Sequence, residues 1–130
     1  MRKDFTVGDT FTHVRDCDRY RPIYYAAASG DFNPIHIDAS AGEVAGLGGV
    51  ILQGLCTLAW AVEAFGKYLG DTGKITKVRV RFSRPVALED VVTFSGRVTE
   101  VSAAKVCVEV SAKNQRGEDV LKGAALEAKV

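Results

Sequence analysis

A change of hydrophobic period near residue 70 is the feature that most constrains the fold of this chain. Residues 55–69 are apolar at nearly every position. They predict a helix of about four turns, and a helix of this kind must be buried. From residue 75 onward apolar and polar residues alternate, which is the period of a β-strand with one buried face. The alternation returns in four segments, around 78–82, 92–96 and 106–110 and over 119–129. Four successive strands with hairpin-like spacing predict an antiparallel sheet, and the long helix before them predicts an α+β fold in which the sheet wraps the helix.

The part of the chain before the long helix predicts a strand, a helix and then an irregular stretch. Residues 9–15 alternate loosely and indicate a short strand. Asp18 can cap a helix that runs to Ala28, and the Ser-Gly pair that follows would end it, because glycine is the usual residue just past a helix C-terminus. Residues 29–54 hold six glycines and many apolar residues. This composition favours a long functional loop, with a short helix at 40–45, over a disordered segment.

Composition and charge exclude several classes of protein. The chain shows no linker and no internal repeat, so residues 1–130 are expected to form one domain. The 17 basic and 16 acidic residues nearly cancel without a basic cluster, so nucleic acid is not an expected partner. The three cysteines lie far apart without a Cys-x-x-Cys pattern, which argues against a disulfide framework or a zinc site and favours free thiols in the cytoplasm. We expect no signal peptide and no membrane span, since the longest apolar run is too short to cross a bilayer.

Residues 29–36 read Ser-Gly-Asp-Phe-Asn-Pro-Ile-His and place a carboxylate and an imidazole around a rigid turn. The carboxylate is Asp31 and the imidazole is His36, and proline between them fixes φ and bends the chain. A stiff turn can hold an acid and a base against one substrate atom, as general acid–base catalysis requires. In the alternative, structural interpretation, Asp31 caps the turn and His36 is a packed loop histidine.

The longer stretch Ala28–Asp38, Ala-Ser-Gly-Asp-Phe-Asn-Pro-Ile-His-Ile-Asp, resembles the hydratase motif of the MaoC-like (R)-specific enoyl-CoA hydratase family. It is also similar to the dehydratase subunits of fatty-acid and mycolic-acid elongation, which share the motif. Residues 79–86, Arg-Val-Arg-Phe-Ser-Arg-Pro-Val, resemble the family's strand-plus-proline segment. The resemblance covers nearly the whole chain. It implies a hot-dog fold and the (R)-specific hydration of trans-2-enoyl thioesters, or the reverse dehydration.

The resemblance also implies roles for particular residues. The family's catalytic Asp and His fall on Asp31 and His36, which would share a water at the β-carbon. One would deprotonate the water and the other would protonate the α-carbon, and the sequence leaves that division open. The family's oxyanion donor falls on the backbone N–H of Gly54, where the helix N-terminus adds partial positive charge; alternatively, Gly54 merely opens the helix. Asn33 either orients the substrate or the water, or only shapes the turn.

At the start of the long helix the chain departs from the family pattern. The family often has His-Gly-Met where this chain has Gln53-Gly54-Leu55. Because the proposed donor is a backbone group, the change need not abolish catalysis. It leaves the acyl-chain preference open.

Other charged residues have both a functional and a structural interpretation. Glu63 lies within the long helix, where hot-dog thioesterases place a catalytic carboxylate; the structural alternative is a polar seam or a dimer contact. Arg79, Arg81 and Arg84 lie on or beside one strand. They either contact the phosphates of CoA or of an acyl carrier protein's phosphopantetheine, or form a solvated face. Arg84 is the candidate substrate contact among them. His13 has no partner motif and is interpreted as structural.

The resemblance further implies the partners of the protein. The expected substrate is an acyl-CoA or acyl carrier protein thioester, with no metal and no redox cofactor. A homodimer or a dimer of dimers is expected, because joining two sheets edge to edge covers an exposed edge strand. Two alternatives remain open: an acyl thioesterase in which Glu63 acts, and a dehydratase subunit that works in a heterodimer.

Overall fold

The computed structural model describes residues 4–130 and contains a five-stranded sheet with a long helix. The strands are β1 (Thr10–Asp16), β2 (Ile75–Arg79), β3 (Val91–Val101), β4 (Lys105–Lys113) and β5 (Asp119–Lys129). The helices are α1 (Arg21–Ser29), α2 (Ala39–Val44) and α3 (Gly54–Leu69), with 3₁₀ turns at Pro34–His36 and Thr72–Lys74. The α+β architecture is confirmed. Within residues 4–130, no helix combines the length and apolar content needed to cross a lipid bilayer.

The sheet curves around α3. Its strand order is β1-β3-β4-β5-β2, and every neighbouring pair is antiparallel. Five strands make a sheet about 19 Å wide, whereas a helix is only about 10–12 Å across. Because α3 contacts both edge strands, β1 and β2, as well as β3 inside the sheet, the sheet must bend around it.

The core lies between the concave face of the sheet and one face of α3. Trp60 of α3 meets Phe94 of β3 edge-on, with ring centroids 6.4 Å apart and planes at 85°. The same face of the helix buries Ala61, Ala64 and Phe65. The prediction that α3 is buried on nearly every face is wrong for the chain taken alone, since the opposite face is open and Leu55 is 62% exposed.

The second strand differs from its prediction in length and in neighbour. Alternation predicted a strand through Phe82, but β2 ends at Arg79 and Phe82 makes a single bridge to Leu121. Hairpin spacing holds for β3, β4 and β5, whereas β2 pairs with β5 at the far edge of the sheet. An edge strand buries little surface, so its pairing with β5, rather than its alternation, decides where it ends.

Helix α1 begins later than predicted and ends as predicted. Tyr20 occupies the N-cap position without a side-chain cap, and Asp18 instead accepts a hydrogen bond from the Tyr20 N–H at 2.9 Å. The prediction that Asp18 caps the helix is therefore wrong, because its carboxylate is used in a turn just before the helix. Gly30 ends the helix with φ 80°, and its N–H donates to the carbonyl of Ala26. This fixed helix end places Asp31 at the start of the next turn.

Candidate active site

The residues between α1 and α2 form two linked turns that bring Asp31 and His36 together. Asp31 Oδ1 accepts a hydrogen bond from the Asn33 N–H at 3.3 Å. Asn33 Oδ1 accepts one from the Ile35 N–H at 3.2 Å, which caps the 3₁₀ turn. As a result, His36 Nε2 lies 3.7 Å from Asp31 Oδ2. The predicted juxtaposition of these two side chains is present in the structure.

The ring of His36 is held in one orientation by a distant backbone group. Its side chain is 9% exposed, and its Nδ1 lies 2.8 Å from the carbonyl oxygen of Ile51. A carbonyl oxygen can only accept, so Nδ1 carries the hydrogen in this contact. The neutral ring therefore keeps an unprotonated Nε2, which faces Asp31. This nitrogen is ready to accept a proton.

The gap between the two side chains suits a shared water. A direct hydrogen bond between a charged nitrogen and an oxygen is about 2.7–2.9 Å long, so the 3.7 Å separation is too wide for one. Two polar atoms at this distance can both reach one water placed beside them. The Asp31 side chain is 47% exposed, which leaves it open to such a water. The pair can therefore orient a water and exchange protons with it.

A cleft of about 240 Å³ begins at His36 and is lined on its other sides by Gly54, Phe82 and Arg84. Val86 and neighbouring apolar residues make much of its wall. Such a cleft suits a largely apolar ligand with one reactive polar end. Three larger hollows, of about 320, 370 and 480 Å³, lie on or beside the sheet and contain neither histidine. The smaller cleft is the stronger candidate because it is lined both by His36, one member of the titratable pair, and by Gly54, the first residue of the long helix.

Gly54 brings an unused backbone donor to this cleft. It is the first residue of α3, and within residues 4–130 no hydrogen bond uses its N–H. The first N–H groups of a helix lack partners inside it and carry partial positive charge. A Cβ added at this position would come 3.5 Å from the Phe82 ring, which is ordinary contact. The geometry is compatible with a donor aimed at a thioester oxygen.

Arg84 lies at the cleft and is paired with a carboxylate from another part of the chain. Its Nη1 is 3.2 Å from Glu118 Oε2 in the turn between β4 and β5. Arg116 donates to the other oxygen of Glu118 at 2.6 Å. The hydrogen bonds from Arg116 and Asn114 hold the pKa of Glu118 below its usual range. Arg84 therefore faces a group that stays ionised at neutral pH.

The other predicted residues lie outside the cleft. Arg79 and Arg81 line a separate hollow with Lys122, so the structure does not bring the three arginines together. Asn33 does not line the cleft, and its side-chain oxygen is occupied by the turn. This contact matches the interpretation that Asn33 shapes the turn.

A second histidine–carboxylate pair joins β1 to α3. His13 Nε2 lies 3.4 Å from Glu63 Oε2, while Arg15 and Lys67 each place a nitrogen 3.6 Å from Glu63 Oε1. Partial burial, the largest single influence, raises the pKa of Glu63. The contact with His13 and the charge of Arg15 outweigh it and leave that pKa below its ordinary value. The contacts match the polar seam that was the structural alternative for Glu63. The His13 partnership had no signal in the sequence, because the two residues are far apart along the chain.

Gln53 has a structural role that the sequence pattern did not reveal. The side chain is 1% exposed, and its Nε2 donates to the carbonyl of Pro22 at 2.9 Å and reaches that of Asp31 at 3.5 Å. The available signal was a polar residue in an otherwise apolar stretch just before a helix. Within residues 4–130, no cluster of three or more His, Cys, Asp or Glu side chains could hold a metal ion.

Known proteins resemble this chain in sequence over most of its length. The family model described as MaoC like domain matches residues 10–119. Peroxisomal multifunctional enzyme type 2 of Drosophila melanogaster is 33% identical over 106 residues, which cover 78% of this chain and 17% of that protein. Peroxisomal enoyl-CoA hydratase 2 of Arabidopsis thaliana is 41% identical over 84 residues, covering 63% and 25% respectively. The chain thus spans a quarter or less of the length of these two curated relatives.

A solved structure resembles nearly the whole chain. The unliganded (R)-hydratase of Pseudomonas aeruginosa superposes with a TM-score of 0.86 at 27% sequence identity. The alignment covers 96% of this chain and 82% of that one. The likeness confirms the hot-dog fold that the motif implied.

Proposed function

The chain belongs to the MaoC-like dehydratase family, and we propose that it hydrates trans-2-enoyl thioesters to (R)-3-hydroxyacyl thioesters or catalyses the reverse dehydration. The observation that carries the proposal is the position of His36, whose Nδ1 is bound by the Ile51 carbonyl and whose Nε2 lies 3.7 Å from Asp31 Oδ2, at a cleft that Gly54 also lines. The relatives named above include an enoyl-CoA hydratase and an (R)-hydratase, which supports the reaction class.

In the proposed hydration, the two side chains act on one water. Asp31 accepts a hydrogen bond from the water and orients it, while His36 Nε2 removes one of its protons. The oxygen then forms a bond to the β-carbon, and electrons of the double bond move toward the thioester carbonyl. The imidazolium that forms is stabilised by the carboxylate of Asp31. His36 returns the proton to the α-carbon, so one water has been added and both residues regain their starting state.

The negative charge that builds on the thioester oxygen needs a preorganised donor. We assign this role to the backbone N–H of Gly54 at the start of α3. Both new bonds would then form on the face of the substrate that meets His36, which predicts syn addition. The proposed hydration consumes only water and the enoyl thioester and involves no net oxidation or reduction, so the proposal requires no metal and no redox cofactor.

The carrier, the assembly and the location are also parts of the proposal. Arg84 is assigned to the carrier of the thioester, CoA or acyl carrier protein, because it lies at the cleft and arginine suits phosphate. The strands β1 and β2 are both sheet edges, which supports a homodimer or a dimer of dimers. The three cysteines are free thiols, which is compatible with a cytoplasmic location.

A direct assay tests the reaction. Purified protein is incubated with enoyl-CoA substrates of increasing chain length, and the loss of enoyl absorbance is followed, with chiral analysis of the product. We expect water addition with the (R)-3-hydroxyacyl thioester as product. No hydration of any substrate, or an (S) product, would overturn the proposal. Release of free thiol without hydration would instead identify a thioesterase.

Native mass measured on the same preparation tests the assembly. A stable homodimer is expected. A monomer that acquires activity only with a second, different chain would replace this expectation with the heterodimer.

A further inference from the structure

The buried side chain of Gln53 connects the two halves of the candidate site. Gln53 is the last residue before α3 and enters the helix with φ −58° and ψ 132°. It makes no side-chain cap for its own helix. Its amide points instead at α1 and the catalytic turn, where Nε2 lies 2.9 Å from the Pro22 carbonyl oxygen and 3.5 Å from that of Asp31.

The orientation of this amide follows from its neighbours. A glutamine nitrogen carries two hydrogens and can serve two acceptors. Both neighbouring groups are carbonyl oxygens, which cannot donate, so the nitrogen must face them. The side chain of Gln53 therefore connects the first turn of α1 and the backbone of Asp31 to the start of α3, because the peptide bond of Gln53 leads directly to Gly54.

Packing alone does not explain a glutamine at this position. Gln53 Oε1 is buried and has no hydrogen-bond partner among residues 4–130. A buried acceptor without a partner is unfavourable, and an apolar side chain of similar size would avoid it. The useful part of the side chain is thus its donor group, which reaches the backbone of Asp31.

We infer that Gln53 is a positioning residue, which sets the distance between the proton-transfer pair and the oxyanion donor. This inference rests on the proposed function. Gln53 touches no reacting atom and acts through Asp31 on one side and through its own peptide link to Gly54 on the other. A displacement of about 1 Å in such a geometry can lower a rate by about 10²-fold.

The test is Gln53→Met, which keeps the length of the side chain and removes both polar groups. We expect kcat for enoyl-CoA hydration to fall by about 10- to 100-fold with KM nearly unchanged. Loss of the unpartnered acceptor offsets loss of the hydrogen bonds, so Tm should change by no more than a few degrees. Equal activity in the variant would overturn the inference. A fall in activity matched by unfolding would also overturn it, since Gln53 would then be only structural.

Two further variants sharpen the result. Gln53→His restores a ring N–H, and we expect it to recover part of the lost kcat. Gln115→Met is the matched control, because the Gln115 amide also joins separate groups, donating to Asp90 at 2.9 Å and accepting from the Val91 N–H. Gln115 does not line the cleft, and these hydrogen bonds go to Asp90 and Val91 rather than to the catalytic turn, so kcat should not change. A similar loss of kcat in Gln115→Met would show that any bridging amide has this effect, and would contradict the inference.

Coupling to Asp31 distinguishes positioning from a general effect. If Gln53 acts through Asp31, Gln53→Met should lower the residual activity of Asp31→Asn much less than it lowers that of the wild type. Full additivity would contradict the inference.

A measurement without substrate separates this inference from the proposed function. Amide hydrogen exchange over residues 29–37 should be faster in Gln53→Met than in the wild type, because the turn loses its anchor. Unchanged exchange would refute the anchor even if the protein is a hydratase. Faster exchange in a protein without hydratase activity would leave the anchor standing and refute the proposed function.

Discussion

The chain contains two histidines, and each lies beside a carboxylate, but the two pairs have different surroundings. His36 Nε2 is 3.7 Å from Asp31, and its other ring nitrogen is held by the carbonyl of Ile51. His13 Nε2 is 3.4 Å from Glu63. The distances are similar, so distance alone does not separate a catalytic pair from a structural one.

The carboxylates differ in their competing partners. Arg15 and Lys67 both contact Glu63 at 3.6 Å, whereas His36 is the basic side chain seen beside Asp31 among residues 4–130. The His36 pair also adjoins a cleft with an unused backbone N–H, whereas the four clefts described above within residues 4–130 include neither His13 nor Glu63. A carboxylate that already neutralises two cations stabilises the fold, while one left open beside a cleft can act on a ligand. This contrast argues against the thioesterase alternative, in which Glu63 acts.

Substituting the residues of each histidine–carboxylate pair in turn should give the largest effect on activity. Asp31→Asn and His36→Gln should each lower kcat/KM for enoyl-CoA hydration by about 10²–10⁴-fold, since each removes a proton-transfer group. His13→Gln and Glu63→Gln should leave activity nearly unchanged. Steady-state rates, with circular dichroism to verify folding, decide the comparison. Loss of activity in Glu63→Gln with full activity in Asp31→Asn would reverse the two roles.

Removing the backbone N–H donor of Gly54 should give the second-largest effect on activity. Gly54→Pro deletes the N–H at the first helical position, where proline is well tolerated. The extended backbone of Gln53 is compatible with a following proline. Gly54→Ala is the matched control, because it adds a Cβ in ordinary contact with Phe82 but keeps the N–H. We expect kcat of the proline variant to be about 10²–10³-fold below that of the alanine variant. Equal kcat values in the two folded variants would exclude this donor.

The two pairs also have neighbouring arginines, which should respond differently. Arg84→Gln should raise KM for an enoyl-CoA by several-fold but leave an enoyl-N-acetylcysteamine thioester, which lacks the phosphates, unaffected. Arg15→Gln should leave both KM values unchanged. It should lower the free energy of unfolding by about 0.5–1 kcal/mol, since Arg15 pairs with Glu63 and lies 5.3 Å from the Trp60 ring. Equal changes in KM for both substrates would show that Arg84 does not bind the carrier.

The smallest effect should appear in the acid stability of the Glu63 pair. The pKa of Glu63 is lower in the folded protein than its ordinary value of 4.5. Its stabilising contribution is therefore fully present above that ordinary value and is lost as the pH falls through the folded pKa. Urea unfolding should show the wild type to be more stable than Glu63→Gln at pH 7, with the difference shrinking below about pH 4. A difference that stays constant over this range would contradict the assignment.

Much of the fold could be predicted because its signals are local and periodic. The long helix was expected at 55–69 and occupies Gly54–Leu69, and the last strand lies at Asp119–Lys129 as expected. The short helix expected at 40–45 occupies Ala39–Val44. The end and the neighbour of β2 could not be predicted, because an edge strand has a weak pattern and its partner lies far along the chain. The cap of α1 was assigned to Asp18, whereas the N-cap is Tyr20. A shift of two residues in a helix start is not visible in the residue types.

The candidate site likewise has features that the sequence predicts and features that depend on tertiary contacts. By itself the sequence determined the turn that joins Asp31 to His36, since proline geometry and side-chain hydrogen bonds to residues two positions away need no tertiary contact. Only the tertiary structure decided the proton position on His36, through Ile51 fifteen residues away. It also decided that His36 and Gly54 line the same cleft, which groups Gln53 contacts, and that His13 pairs with Glu63. These contacts join groups that are distant in the chain, and they form only when packing around α3 compensates for the entropy of closing the loops between them.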